Sequence, residues 1–341
     1  MRVLVTGNLG YIGTVLVPML LAGGHKVLGL DSDLYRRCTF GDGVPDVSTK
    51  RKDVRDVTVE DLEGIEAICH LAALSNDPLG NLDAELTYDI NYRASVRLAE
   101  MAKEAGVRRY VFSSSCSTYG AGSEELLTED AVFNPVTPYG ESKVLVEREV
   151  AKMADDRFSP VFLRNATAYG VSPRLRFDLV VNNLVAWAFT TGKIMMKSDG
   201  SPWRPIVHVE DICRAFAAVL DAPRSLVHNR AFNVGVTSDN VQIREIARVV
   251  GQVVPECRIE FAEGASPDKR CYKVNCDLLP SVLATFRPAW RVAPGARQLY
   301  DLYRKQGLTL EEFEGPKYQR IGQIKQLLAD GVIDEKLRFV A

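Results

Sequence analysis

The sequence predicts an α/β protein, a doubly wound parallel sheet carrying a smaller C-terminal α/β lobe. Short apolar runs alternate with helical patterns through the first half of the chain, as successive β–α–β units do. A glycine-rich turn follows the first of these runs and opens the first helix. With 341 residues, 46% apolar and 25% charged, the chain is long enough to fill a core on both faces of such a sheet.

The strands expected in order are Val3–Thr6, Lys26–Asp31, a weak one near Thr49–Lys52, then Glu66–Leu71, Arg109–Ser113 and Pro160–Arg164. Helical segments begin near Tyr11, Asp83 and Tyr139. The segment Asp83–Ala105 is the longest, with Leu86, Ile90, Ala94, Leu98 and Met101 at helical spacing. After about residue 165 the pattern changes. Helices at Asp178–Thr191, Val209–Leu220 and Ile243–Val250 alternate with short strands such as Ile206–Val209 and Ala231–Val234. Strands so short cannot hold a core of their own, so this part reads as a lobe built onto the sheet, some segments returning to it. The expected division is a sheet domain at 1–165, a lobe at 166–307 and a helical C-terminal tail at 308–341. An amphipathic stretch near Ile321–Leu328 would make that tail a lobe cover, an interface piece or a loosely attached end.

Composition excludes several partners. The 42 basic and 44 acidic residues nearly cancel, leaving no strong field for nucleic acid or an anionic membrane. The most apolar stretch, Val15–Ala22, is too short to span a bilayer, and Arg2–Thr6 reads as a strand rather than a signal peptide. Seven cysteines, at positions 38, 69, 116, 213, 257, 271 and 276, form no CxxC pair. They are expected to be free thiols in a reducing cytoplasm, with no metal site among them.

The turn Thr6-Gly7-Asn8-Leu9-Gly10-Tyr11-Ile12-Gly13 stands where a dinucleotide fingerprint must stand. Gly7 permits the tight turn, Gly10 lets backbone approach a pyrophosphate, and Gly13 lets helix pack closely on strand. The helix N-terminus then turns unpaired N–H groups and the positive dipole end toward the phosphates. Asp31 ends the second strand, where a carboxylate accepts from both hydroxyls of an adenosine ribose and repels a 2′-phosphate. Each signal alone is commonplace; together they predict a Rossmann-type sheet with NAD as cofactor. Arg36 and Arg37 nearby keep NADP open as the alternative.

A second constellation carries chemistry. Tyr139 and Lys143 are four residues apart and share one helix face. A phenol is a poor base at neutral pH. An ammonium beside it, with the positive nicotinamide ring, favours the phenolate, which can take a proton from a carbinol hydroxyl while hydride leaves the same carbon. A serine-rich strand end, Ser113-Ser114-Ser115, precedes the pair. No Gly-x-Ser-x-Gly elbow surrounds it, which argues against a serine hydrolase.

The glycine spacing, GxxGxxG, resembles that of the extended short-chain dehydrogenase/reductases, the family of the NAD-dependent nucleotide-sugar epimerases and dehydratases. The resemblance runs to about residue 290. It implies that Tyr11 and Ile12 of the turn contact the cofactor, that Asp53-Val54 contacts the adenine, and that Leu71-Ala72-Ala73 after His70 lines the ribose and pyrophosphate. Ser115 matches the catalytic Ser/Thr, and Lys143 would hold the nicotinamide ribose as well as tune Tyr139. On the substrate side it implies contacts at Ser75, at Thr167 within "LRNATAYG", at Asn183, and at two arginines. Arg204 in "WRPIVHVED" and Arg270 in "DKRCYKV" match residues that grip the substrate diphosphate.

Two departures narrow the reaction. Dehydratases of this family carry Asp-Glu directly after the catalytic Ser/Thr, whereas this chain has Cys116-Ser117. Cys116 is also one place away from the cysteine acid/base of the 3,5-epimerising members, and it reads as a packing residue. What remains is chemistry needing only hydride and one proton, with 4-epimerisation of a nucleoside-diphosphate sugar leading. A dehydrogenase or 4-ketoreductase on the same scaffold, and a non-catalytic NAD sensor, are the alternatives. A homodimer is expected through the helices after Asp83 and Tyr139, since Val144, Leu145, Val150, Leu98 and Met101 offer apolar surface beyond one core's needs.

Overall fold

A computed structural model describes residues 1–75, 83–120, 125–196, 199–261 and 271–340. Seven parallel strands form the main sheet: β1 Arg2–Thr6, β2 Lys26–Asp31, β3 Thr49–Arg51, β4 Ala67–His70, β5 Arg109–Ser115, β6 Ser159–Asn165 and β7 Arg230–Val234. Their order across the sheet is β7-β6-β5-β4-β1-β2-β3. The chain winds outward in both directions from β1, which pairs with β2 on one side and β4 on the other. A crevice opens at the strand C-termini where the winding reverses, and there open α/β sheets bind ligands.

Both faces of the sheet are covered, which is why β1 is a continuous apolar run: Val3, Leu4 and Val5 are all fully buried. On one face lie helix α1 (Gly13–Ala22), through Leu16, Val17 and Leu20, and a later helix through Ile212, Phe216 and Val219. On the other lie α2 (Ala94–Glu104), through Leu98 and Ala102, and α3 (Pro138–Lys152), through Val146 and Val150. Leu98, Val144 and Val150 are 0%, 2% and 0% exposed within the single chain. The apolar surface expected to drive dimerisation is therefore covered within the single chain at these three residues, Leu98 and Val150 by the core on this face of the sheet; Leu145 and Met101 are half-buried.

The long segment after Asp83 is not one regular helix. Asp83 caps a short turn, Ala84–Thr87, by accepting from the Leu86 N–H at 3.0 Å. A π-helical stretch, Tyr88–Arg93, follows before α2 begins. Beyond β6 come α4 (Val180–Thr191), α5 (Val209–Asp221), which is the helix beside α1 on the main sheet, α6 (Ile243–Val253) and α7 (Val292–Gln306). Strand Trp203–His208 runs parallel to Thr167–Tyr169 and antiparallel to Asn240–Gln242. The chain does return to the main sheet here, because β7 pairs with β6 at its edge.

The C-terminal segment joins two cores. Phe313 and Tyr318 pack on Phe177 in the lobe, at ring-centroid distances of 5.1 and 5.5 Å. Ile324 and Leu327 of α8 (Arg320–Ala329), then Ile333 and Leu337, enter the core on the α2–α3 face of the sheet. Arg55 donates to the Lys336 carbonyl at 2.8 Å, and Arg338 pairs with Asp56 at 3.0 Å. A loosely attached end is excluded. All seven cysteines are unpaired, and no helix among the described residues is long and apolar enough to cross a membrane.

Candidate active site

The turn after β1 is fixed by close approach. Gly7 has a φ of +73°, and a Cβ at Gly13 would lie 2.2 Å from the Gly7 carbonyl oxygen, so any side chain there forces helix from strand. This packing sets the start of α1 at Gly13, two residues later than the sequence pattern suggests. At Gly10 a Cβ would meet only the Gly7 carbonyl oxygen, at 3.2 Å. The turn therefore presents bare backbone to a cavity of about 390 Å³, large enough for a small-molecule ligand. Gly7, Gly10, Tyr11, Ile12 and Gly13 all line it. The Tyr11 hydroxyl faces the lobe, donating to the Gly170 carbonyl at 2.7 Å.

Asp31 lines the same cavity. Its carboxylate accepts from the Leu9 N–H at 3.0 Å and the Asp33 N–H at 2.7 Å, which ties the end of β2 to the glycine turn. Burial pushes its pKa above the ordinary carboxylate value, against the pull of those two N–H groups. Each oxygen keeps a lone pair for a hydroxyl donor. Bare backbone at a helix N-terminus beside an oriented carboxylate fits a dinucleotide. Asp53 and Val54 also line the cavity, although the Asp53 carboxylate is taken up by Arg55, whose Nη2 lies at 2.8 Å. Arg36 and Arg37 turn instead to the C-terminal segment, Arg36 over the Phe339 ring and Arg37 onto Asp330.

Leu71, Ala72, Ala73 and Ser75 follow β4 along the cavity floor. This stretch is held by Asn91, whose amide accepts from the Leu74 N–H at 2.7 Å and donates to the Leu74 carbonyl at 3.1 Å. Asn91 lies in the π-helical stretch, and such irregular turns recur at functional sites. Just beneath, His70 Nδ1 meets Thr6 Oγ1 at 2.6 Å and Nε2 meets Ser95 Oγ at 2.8 Å.

Ser115, Tyr139 and Lys143 all line the cavity. Thr137 caps α3 through the Gly140 N–H at 3.2 Å, and Pro138 supplies the first helical residue, so Tyr139 sits in the first turn. One turn on, Lys143 is 3% exposed; its Nζ donates to the Ser113 carbonyl at 2.8 Å and stands 5.7 Å from the Tyr139 ring centroid. Burial pulls its pKa down to about 7, with Glu147 opposing. Ser115 Oγ accepts from the Ser117 N–H at 3.1 Å and the Ser117 hydroxyl at 2.7 Å, leaving its own proton to donate elsewhere. Behind it, Arg164 clamps Glu147, which also accepts from Ser114. Cys116 is 1% exposed, donates to the Arg164 carbonyl and has its thiol pKa pushed up by burial.

On the lobe side, Thr167 and Arg204 line the cavity, together with Tyr272. Asn183 does not: its amide donates to the Phe177 carbonyl at 2.9 Å, stabilising the lead-in to α4. Arg270 lies outside the described residues. Sequence reasoning missed Arg176, Asp178, Arg320 and Leu337, all of which line the cavity. Arg176 reaches Ser75 Oγ at 3.2 Å and pairs with Asp178. The signal available was "PRLRFD", where arginines interrupt an apolar run.

A buried lysine beside a tyrosine, facing a nucleotide-sized cleft at the reversal of a parallel sheet, suits dinucleotide-linked proton and hydride chemistry. The sequence matches the family model of the NAD dependent epimerase/dehydratase family over residues 3–235. It is 31% identical over 320 residues to a UDP-glucose 4-epimerase of Mycolicibacterium smegmatis, covering 89% of this chain and 99% of that protein. It is 30% identical over 295 residues to a UDP-glucose 4-epimerase of Lactobacillus helveticus, covering 79% and 87%. Among solved structures it is similar to MoeE5 in complex with UDP-glucuronic acid and NAD, with a TM-score of 0.77 and 27% identity over 89% of this chain and 99% of that one. The chain belongs to the NAD-dependent epimerase/dehydratase family. It is an NAD-dependent enzyme of the extended short-chain dehydrogenase/reductase type, and NAD is its cofactor.

Proposed function

We propose that the enzyme is a nucleoside-diphosphate-sugar 4-epimerase. One observation carries the reading: Ser115, Tyr139 and Lys143 share a single cavity with the glycine turn and Asp31. A carbinol bound there meets a proton acceptor and the cofactor together. When bound, NAD supplies a reversible hydride acceptor. Tyr139 takes the proton of the sugar 4-hydroxyl, and Lys143, held by the Ser113 carbonyl, favours the phenolate and fixes the nicotinamide ribose. Ser115 donates to the reacting oxygen. The keto sugar turns over so that the opposite face of C4 would take back the hydride from the bound cofactor, and Tyr139 returns the proton to the 4-oxygen.

The remaining assignments follow from position. Gly7, Gly10, Tyr11, Ile12 and Gly13 cradle the pyrophosphate, and Asp31 takes the adenosine ribose. Asp53 and Val54 flank the adenine, and Leu71, Ala72 and Ala73 line the ribose and pyrophosphate. Ser75, Thr167 and Arg204 serve the nucleotide sugar, Arg204 its diphosphate; for Arg270, outside the described residues, the same role rests on the sequence resemblance alone. Asn183 supports α4 rather than the substrate. Cys116 and Ser117, standing where a dehydratase carries two carboxylates, leave hydroxyl epimerisation rather than water loss.

The test is NMR of the purified enzyme with a panel of nucleotide sugars, beginning with UDP-glucose and UDP-galactose. Interconversion at C4 without accumulation of NADH is expected. Stoichiometric NADH, or a released keto sugar, overturns 4-epimerisation in favour of a dehydrogenase or ketoreductase.

A further inference from the structure

Arg320, the first residue of α8, is 2% exposed and lines the dinucleotide cavity. Its Nη2 donates to the Arg174 carbonyl at 2.9 Å, and its guanidinium stacks over the Tyr35 ring at 4.0 Å. Its Nη1 has no hydrogen-bond partner, and no carboxylate pairs with it among the described residues. The arginines around it are matched: Arg174 with Asp33 at 3.0 Å, Arg176 with Asp178. Burial pulls the Arg320 pKa below its ordinary value. An uncompensated buried cation is costly wherever it stands. In the wall of a ligand cavity, the counter-charge comes with the ligand.

Two anions enter this cavity, the dinucleotide diphosphate and the nucleotide-sugar diphosphate. Tyr35 lies four residues beyond Asp31, in the loop that follows β2, so the guanidinium stands on the cofactor side. We propose that Arg320 neutralises the diphosphate of bound NAD, which makes the C-terminal segment part of the cofactor site. Leu337, from the same segment, lines the cavity too. The inference is independent of which sugar is epimerised.

Calorimetry of the NAD-stripped enzyme with NAD, ADP and UDP, on wild type, Arg320→Leu and Arg320→Lys, tests it. Arg320→Leu should weaken NAD and ADP by about ten- to a hundredfold, the scale of a lost charge-assisted hydrogen bond, with UDP unchanged and Arg320→Lys recovering part of the loss. NAD and ADP affinities within threefold of wild type overturn the proposal. So does a loss that falls on UDP alone, which assigns Arg320 to the sugar nucleotide, or equally on all three ligands, which marks a structural role. Should Arg320→Leu fail to fold, hydrogen exchange of residues 318–338 in the wild type decides. Saturating ADP should slow it, and unchanged exchange overturns the proposal.

Discussion

Lys143 is pulled in two directions: burial favours the neutral amine, and Glu147, one turn along α3, favours the ammonium. Activity that needs the ammonium falls as pH rises through its pKa. Glu147→Gln should therefore move the alkaline limb of the kcat/KM profile to lower pH, and an unmoved limb would show that the pair is not coupled. Tyr139→Phe keeps the ring and loses only the proton-carrying oxygen, so turnover should fall about 10²–10⁴-fold with NAD binding retained. More than about a tenth of wild-type activity in that variant removes Tyr139 from the chemistry. Asp31→Ala should weaken NAD by about 1.5–3 kcal/mol, measured by titration calorimetry. These residues were legible in the sequence because each belongs to a short-range pattern: a turn, a strand end, an i,i+4 pair. Arg176 and Arg320 were not, since an arginine that reaches a cavity through tertiary packing looks in sequence like any solvated one. Neither Asn182 nor Asn183 lines the cavity: Asn182 is fully buried and accepts from the Gly170 N–H at 2.9 Å, and Asn183 stays local, donating to the Phe177 carbonyl.

At the level of elements, β4 ends in a histidine that cannot readily charge. His70 is enclosed between Thr6 and Ser95, and burial, with the Lys143 charge nearby, brings its pKa down to about 3. The folded state therefore binds fewer protons than the unfolded state between about pH 3 and 6.5, and stability falls as pH drops through that window. From pH 6.5 to 5 this one group should cost about 2 kcal/mol. NMR of the imidazole resonances should show His70 still neutral at pH 5; a midpoint near 6.5 would contradict its enclosure. Hydrophobic runs located five of the six strands expected in the first half, and β7 as well, because apolar side chains on a strand or helix must face a core; β3, Thr-Lys-Arg, carries no apolar side chain and was only weakly expected. It did not reveal the π-helical stretch, where apolar spacing persists and from which Asn91 clasps the loop beyond β4.

For the whole molecule, the C-terminal segment fastens sheet and lobe together. A chain ending at Gly307 would lose the burial of Ile324, Leu327, Ile333 and Leu337. At about 1.5–3 kcal/mol for each apolar side chain, that approaches the entire stability of an ordinary domain. Such a chain should be insoluble or melt far below the full protein; a cooperative thermal transition within a few degrees of it would disprove the role. Sequence alone left this segment undecided, because its contacts lie far away along the chain. The hydrogen bond from Arg55 to Lys336 spans 281 residues, and that from Arg338 to Asp56 spans 282.

That separation also sets a timetable. A ribosome adding about 5–20 residues per second needs roughly 15–60 s to travel from Asp56 to Arg338. During that interval the glycine turn and Asp31 are already synthesised while Arg320 and Leu337 are not. A nascent chain can fold its first β–α–β unit early, since those contacts are local and close quickly. It holds an open half-site until the distant segment docks. Firm capture of the dinucleotide is therefore a late event in the life of each molecule, and NAD becomes a ligand of the finished fold rather than a template for its first half.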